Sequence, residues 1–212
     1  MIVVHHLEDS RSQRVLWLLE ELGIAYEVRR YARDPRTMLA PPELARVHPL
    51  GKSPVIEDLS AAGGTRVVAE TGAIVEYLVE KAEGRLGPPA NREAVLRYRH
   101  FLHYAEGSMM PPLLALLVVS RLGLLGRPAR GPILKMLGHH LDWLESELAG
   151  RDWFAGDEFS AADVMMSFPL EAARARAGLG DERPNLIDWL ERIHARSAYA
   201  AALQKGGPYA YA

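Results

Sequence analysis

Two serines, Ser10 and Ser12, lie in the polar turn Glu8-Asp9-Ser10-Arg11-Ser12, between an apolar run that reads as a strand and a run with helical spacing. A hydroxyl at such a junction can cap the helix by accepting a backbone N–H. It can also donate to an anion held over the helix N-terminus, where the positive end of the dipole assists. On residue type alone both uses stand open. Further on, Ser53-Pro54 precedes a short apolar segment, and an X-Pro bond is where a cis peptide can occur, although trans is the ordinary expectation. Glu70-Thr71 ends one apolar segment and begins a helical one, so the Thr71 hydroxyl can cap that helix while its first N–H groups take an anion. The chain has no cysteine, so any thiol chemistry must use a thiol that a ligand brings. His5-His6, His100-x-x-His103 and His139-His140 invite a metal reading, since histidines three apart on a helix can share a ligand face. No acidic partner completes a familiar set, so they read as structural or solvated, and no metal is expected.

The elements that must hold these residues follow from periodicity. Ile2 to Leu7 reads as a buried strand. Val15, Leu18, Leu19 and Leu22 recur with helical spacing and Gly23 supplies a stop, and a strand from Tyr26 to Arg30 completes a βαβ unit with parallel neighbours. From Tyr31 to Ser53 five helix- or strand-breaking prolines and glycines loosen the pattern, apart from a short helix over Pro42 to Val47. Pro54–Glu57 and Arg66–Ala69, joined through Ser60 to Gly64, predict a hairpin. A helix then runs from Thr71 to Glu83, with Ile74, Tyr77 and Leu78 inward.

Gly84 to Pro89 is a glycine- and proline-rich break, and only helices are expected beyond it. They cover Asn91 to Val119 with a bend near Gly107 and Pro111-Pro112, Pro128 to Leu148, Ser160 to Ala177, Pro184 to Arg196, and a weak last one to Leu203. Leu134, Leu137, Leu141, Leu144 and Leu148 form a buried stripe, and Ser160-Ala-Ala-Asp163 has capping-box spacing. The division is therefore an α/β domain over 1–84 and an all-α domain over 90–212.

A length of 212 residues suits two modest cores. With 49% hydrophobic and 25% charged residues and a net charge of -2, disorder is not indicated. The basic residues are dispersed, which argues against nucleic acid, and Arg92, Arg97 and Arg99 read as a solvated or dimer-facing helix surface. MIVVHHLEDS lacks the basic start and apolar core of a signal peptide, and the apolar stretch Leu113 to Val119 is too short to span a bilayer. The expectation is a cytoplasmic protein without a membrane partner.

The order of these elements resembles the soluble glutathione transferase family across nearly the whole chain. Four local matches carry the resemblance: Ser10-Arg-Ser-Gln-Arg14-Val15 before a leucine-rich helix, His48-Pro-Leu-Gly-Lys-Ser-Pro54-Val55, Glu70-Thr71, and Phe154-Ala-Gly-Asp-Glu-Phe-Ser-Ala-Ala-Asp163. Within the family the chain resembles a bacterial or fungal theta-related type. The resemblance implies a thioredoxin-like N-terminal domain that binds glutathione and an all-helical C-terminal domain that receives a small hydrophobic electrophile, in a detoxifying homodimer.

Only the thiolate of glutathione is a good nucleophile, and a free thiol with a pKa near about 8.5 is mostly protonated at neutral pH. A shift of about two units corresponds to roughly 2.7 kcal/mol. By resemblance the serine four residues before Arg14, namely Ser10, stabilises the thiolate, with Ser12 as the rival. The same match makes Pro54 a cis-proline, gives the Ser53 backbone the cysteinyl unit, Lys52 the glycyl carboxylate, Thr71 the γ-glutamyl carboxylate and Glu70 its ammonium. Tyr104, Ser108, Met109 and Met110 fall where the family's helix passes over the sulfur and would line the acceptor pocket. With no early tyrosine in the first turn and no cysteine, activation by a phenol or through a mixed disulfide is not supported. Two other activities stay open on these residues: a glutathione-dependent peroxidase or disulfide reductase, and a non-catalytic binding protein of the same fold.

Overall fold

The computed structural model describes residues 1–88 and 90–211. Two compact units result, one formed by 1–87 with 195–210, the other by 88–194 with Tyr211. The first is built on β1 (Ile2–Leu7), whose six residues are all buried, as expected of a strand covered on both faces. Helix α1 (Ser12–Leu22) follows and stops at Gly23, whose φ of +61° lets its N–H turn back to the last carbonyls. Then comes β2 (Tyr26–Tyr31), parallel to β1 in the register Ile2↔Tyr26 to Leu7↔Tyr31, which is the expected βαβ pairing.

After the short α2 (Leu44–Val47), β3 (Val55–Asp58) and β4 (Arg66–Ala69) form the hairpin. β3 lies antiparallel to β1, giving the order β2-β1-β3-β4 with β1 and β3 in the centre. Helix α3 (Thr71–Lys81) buries Ile74, Val75, Leu78 and Val79. Tyr77 is half-buried instead and donates its hydroxyl to Asp58 at 2.7 Å.

In the second unit, α4 (Arg92–Tyr104) continues through one π turn (Ala105–Met109) into α5 (Met110–Arg121). The disturbance has a local cause: Pro111 and Pro112 offer no N–H to carbonyls a turn earlier, and a π turn absorbs the mismatch. A short 3-10 turn (Gly123–Gly126) leads to α6 (Arg127–Glu147), which buries Leu137, Leu141 and Leu144, with Leu148 just beyond it also buried. Helix α7 (Ala161–Arg176) is the centre of this unit, buried without a break from Ala161 to Ala173. The capping box of Ser160 and Asp163 starts it, and α8 (Pro184–His194) follows.

Helix α9 (Ser197–Gly206), grouped with the helical half on sequence grounds, packs on α1 in the first unit. The Trp17 and Tyr199 rings meet edge to face at 5.3 Å, and Arg196 pairs with Glu21 at 2.6 Å. By length and composition the run Arg92–Arg121 is long and apolar enough to cross a membrane, and 44% of its apolar window is buried.

Candidate functional site

The end of β1 and the first turn of α1 bring Ser10, Ser12 and His6 together. The turn is held from outside by Arg33, whose guanidinium donates to the carbonyls of Glu8 and Asp9. Asp9 takes a positive φ of +46°, which reverses the chain after Glu8. Ser10 Oγ accepts the Ser12 N–H at 3.2 Å and lies 2.7 Å from Ser12 Oγ. Ser12 Oγ in turn is 2.8 Å from His6 Nδ1 and 3.3 Å from the Leu7 carbonyl.

The two rivals are thereby unequal. Ser12 has no exposed surface and three partners around one hydroxyl, whereas Ser10 keeps 6% exposure. Each hydroxyl has one proton to donate and two lone pairs. Ser10 Oγ accepts the Ser12 N–H, and its contact with Ser12 Oγ can run in either direction, so its O–H is available to a ligand when Ser12 is the donor.

His6 is a functional candidate that sequence reasoning passed over as structural. Burial, and after it the Arg30 guanidinium, hold its pKa down to about 4, against Asp9 and a hydrogen bond to the Gly206 backbone that pull it up. The ring is therefore neutral at ordinary pH. The signal was a polar ring inside an otherwise apolar strand, a few residues before the two serines. His5, its neighbour on the other face, is structural: its ring nitrogens meet Tyr31 Oη at 2.8 Å and Glu57 at 3.0 Å.

Ser53 and Pro54 stand beside β1. The Ser53 hydroxyl donates to the His5 carbonyl at 2.8 Å and accepts the Leu7 N–H at 3.2 Å, which fixes the loop end. The Ser53-Pro54 bond is cis. Lys52 is exposed, with no ion pair among the described residues. Glu70 and Thr71 depart from the expected cap. Glu70 itself occupies the cap position at φ +71°, and no side chain caps α3, so Thr71 is the first helical residue and not the cap. A glutamate at positive φ is uncommon and costs of order 1–3 kcal/mol, and such strain collects at ligand-binding turns. The uncapped N–H groups of the first turn, with the dipole behind them, form an anion seat beside Thr71.

In the second unit Tyr104 and Ser108 line a groove of about 390 Å³ with Arg99, His100, His103 and Gly107. The Tyr104 hydroxyl contacts His140 Nδ1 at 2.5 Å, and burial holds the phenol well above its usual range. Met109 has no exposed surface and Met110 very little, so both belong to the core and not to the groove wall. Among the described residues no three His, Cys, Asp or Glu are grouped to hold a metal ion.

A mixed sheet flanked by helices, with a cis-proline before its third strand, joined to an all-helical unit, defines the thioredoxin-like and helical pairing of glutathione transferases. Residues 10–81 match the glutathione S-transferase N-terminal domain and residues 101–192 the C-terminal domain. The chain belongs to the glutathione S-transferase family. It is 32% identical to glutathione S-transferase 1 of Saccharomyces cerevisiae, over 97% of this chain and 95% of that one. It is 35% identical to glutathione S-transferase 3 of Schizosaccharomyces pombe, over 97% and 88% respectively. A glutathione S-transferase crystal structure from Actinobacillus pleuropneumoniae aligns with a TM-score of 0.83 at 34% identity, over 97% of this chain and 93% of that one. A family member from Pseudomonas fluorescens, solved with two glutathione molecules bound, aligns at 0.81 with 25% identity over 95% and 92%.

Proposed function

We propose that the protein binds glutathione on its first unit, stabilises the thiolate with the Ser10 hydroxyl and the α1 N-terminus, and transfers it to small apolar electrophiles. The observation that supports this reading is the inequality of the serines at the start of α1: Ser12 is fully buried among three partners, and Ser10 keeps 6% exposure. Lys52 then takes the glycyl carboxylate, the Ser53 backbone beside Pro54 pairs with the cysteinyl unit, and Thr71 with the α3 N-terminus takes the γ-glutamyl carboxylate while Glu70 takes its ammonium. The bound glutathione found in the Pseudomonas relative supports the choice of ligand. Residues 1–84, with α9 packed on them, serve as the glutathione-binding domain, and the helical unit over 90–194 supplies the acceptor's apolar surface, with Tyr104 and Ser108 on it. A cytoplasmic homodimer with a detoxifying role completes the proposal.

The test is the ultraviolet difference absorbance of glutathione thiolate on titration into the protein at neutral pH, followed by turnover of an aryl halide. A thiolate signal well below the free thiol's pKa, with aryl halide turnover, supports the transferase. Binding without thiolate sinks it in favour of a binding protein. Hydroperoxide turnover far above aryl halide turnover moves the assignment to a peroxidase. The γ-glutamyl seat is checked separately: Thr71→Val should raise the KM for glutathione about tenfold, the worth of one charge-assisted hydrogen bond, and leave kcat within about twofold.

A further inference from the structure

His6 is buried at the end of the central strand, and its ring joins two parts of the first unit. On one side Nδ1 lies 2.8 Å from Ser12 Oγ, and Ser12 Oγ lies 2.7 Å from Ser10 Oγ. On the other, the ring hydrogen-bonds the backbone of Gly206, the last residue of α9. The approach is close: a Cβ on Gly206 would lie 3.5 Å from His6 Cε1 and 3.0 Å from Leu16. Two further charged groups bear on the ring, Arg30 from β2 and Asp9 from the turn. Arg30 is itself tied to α9 through the Lys205 carbonyl. Ser12 arrives from α1, so the ring is enclosed by polar groups from β2, the turn, α1 and α9.

A neutral imidazole carries one proton, and the nitrogen that holds it is set by what the other contacts. With the proton on the nitrogen facing Gly206, it donates to that carbonyl and Nδ1 is an acceptor. The hydroxyls must then run inward, Ser10 donating to Ser12 and Ser12 to His6, and Ser10 has no proton for a ligand. With the proton on Nδ1 the chain reverses: Nδ1–H donates to Ser12, Ser12 to Ser10, and Ser10 O–H points at the bound sulfur. Each donor in such a chain strengthens the next.

Resting on the assignment of Ser10 as the thiolate's donor, we propose that His6 is a positioning residue whose ring proton, carried on Nδ1 or on Nε2, sets through Ser12 the direction in which Ser10 donates. A thiolate at Ser10 draws the ring proton to Nδ1, and the hydrogen bond that the ring donates to the Gly206 backbone is given up in exchange. The count of protons on the ring does not change: one leaves Nε2 and one arrives at Nδ1 by exchange with solvent. The proton lost by the glutathione thiol goes to the buffer.

The experiment compares the apparent pKa of protein-bound glutathione, read by thiolate absorbance, in wild type, His6→Leu, His6→Asn and Ser10→Ala, with S-methylglutathione affinity as the check on binding. Asn places an amide where Nδ1 stands and can donate to Ser12. His6→Leu is expected to leave about fivefold less thiolate at neutral pH, with unchanged S-methylglutathione affinity, and His6→Asn to restore most of it. Equal thiolate in wild type and His6→Leu overturns the proposal. The second measurement needs no substitution in the protein observed: nitrogen-15 spectra of histidine-labelled wild type should show the His6 proton on Nε2 when free and on Nδ1 with glutathione. One tautomer in both states also overturns it. No thiolate in wild type, or an undiminished signal in Ser10→Ala, overturns the assignment of Ser10 itself and is recognised as such without the His6 variants.

Discussion

Ser10→Ala is expected to lower kcat/KM toward an aryl halide about 30-fold at pH 7, the fall in thiolate fraction when the bound thiol's pKa returns toward about 8.5. The loss should fall on kcat, with the KM for glutathione within about twofold, because Lys52, Ser53 and Thr71 are untouched by the change. Its pH dependence distinguishes this role from a folding defect. On the proposed mechanism the wild type is expected to hold glutathione as thiolate from well below the free pKa, with a rate that is flat through neutrality. In the variant the bound thiol reverts toward about 8.5, so its rate climbs roughly tenfold per unit from about pH 6.5 to 8 and converges on the wild type above pH 9. A rate that stays depressed at all pH values would show that the hydroxyl does something other than stabilise the thiolate. Ser12→Ala should fall between the two, since it removes the middle of the chain to His6 and leaves the donor at Ser10 in place.

Much of the fold that holds the candidate site was legible because its parts are local. Ile2–Leu7 and Tyr26–Tyr31 announce themselves by composition, and a strand, helix and strand in that space have one sensible pairing, parallel and adjacent. The hairpin from Val55 to Ala69 and the start of α3 at Thr71 are likewise short-range facts. What escaped the sequence depends on distant segments or on backbone strain. Nothing near Ser197–Gly206 says that this helix leaves its neighbours in the chain and closes over α1 and His6, because its apolar face fits either unit.

The same distance hides the surroundings of His6, since its partners are Ser12, six residues on, and Gly206, two hundred on. Glu70 is the reverse case. A residue type that disfavours positive φ adopts φ +71° because β4 and α3 constrain it on either side, and propensity cannot foresee a conformation that the type itself resists. Met109 failed as a groove residue for a third reason. Its place came from where the family's helix passes over the sulfur, and the structure instead buries Met109 in the core at the end of a π turn that local sequence does not announce.

The largest stability effect is expected at Asp163, far from any chemistry. Its carboxylate is fully buried and accepts from the Phe154 N–H at 3.0 Å, the Ser160 N–H at 3.0 Å, the Ser160 hydroxyl at 3.2 Å and Trp189 Nε1 at 3.3 Å. One side chain thus starts α7, holds the preceding loop and anchors α8. Asp163→Ala leaves buried donors without acceptors, at about 1–3 kcal/mol each, and about 4 kcal/mol should be lost in urea unfolding followed by Trp189 fluorescence. Asp163→Asn keeps one acceptor but turns an NH2 toward donors, so it should cost about 2 kcal/mol at neutral pH. Burial pushes the Asp163 pKa up to about 6, against these hydrogen bonds. The folded state therefore binds a proton more readily than the unfolded one between about pH 4 and 6, and the contribution of Asp163 grows as pH falls through that window and is lost as it rises. The gap between wild type and Asp163→Asn should widen by about 2 kcal/mol from pH 7.5 to 4.5. A gap that narrows in acid would mean that the carboxylate is held charged, and that the donors outweigh burial in the core of the helical unit.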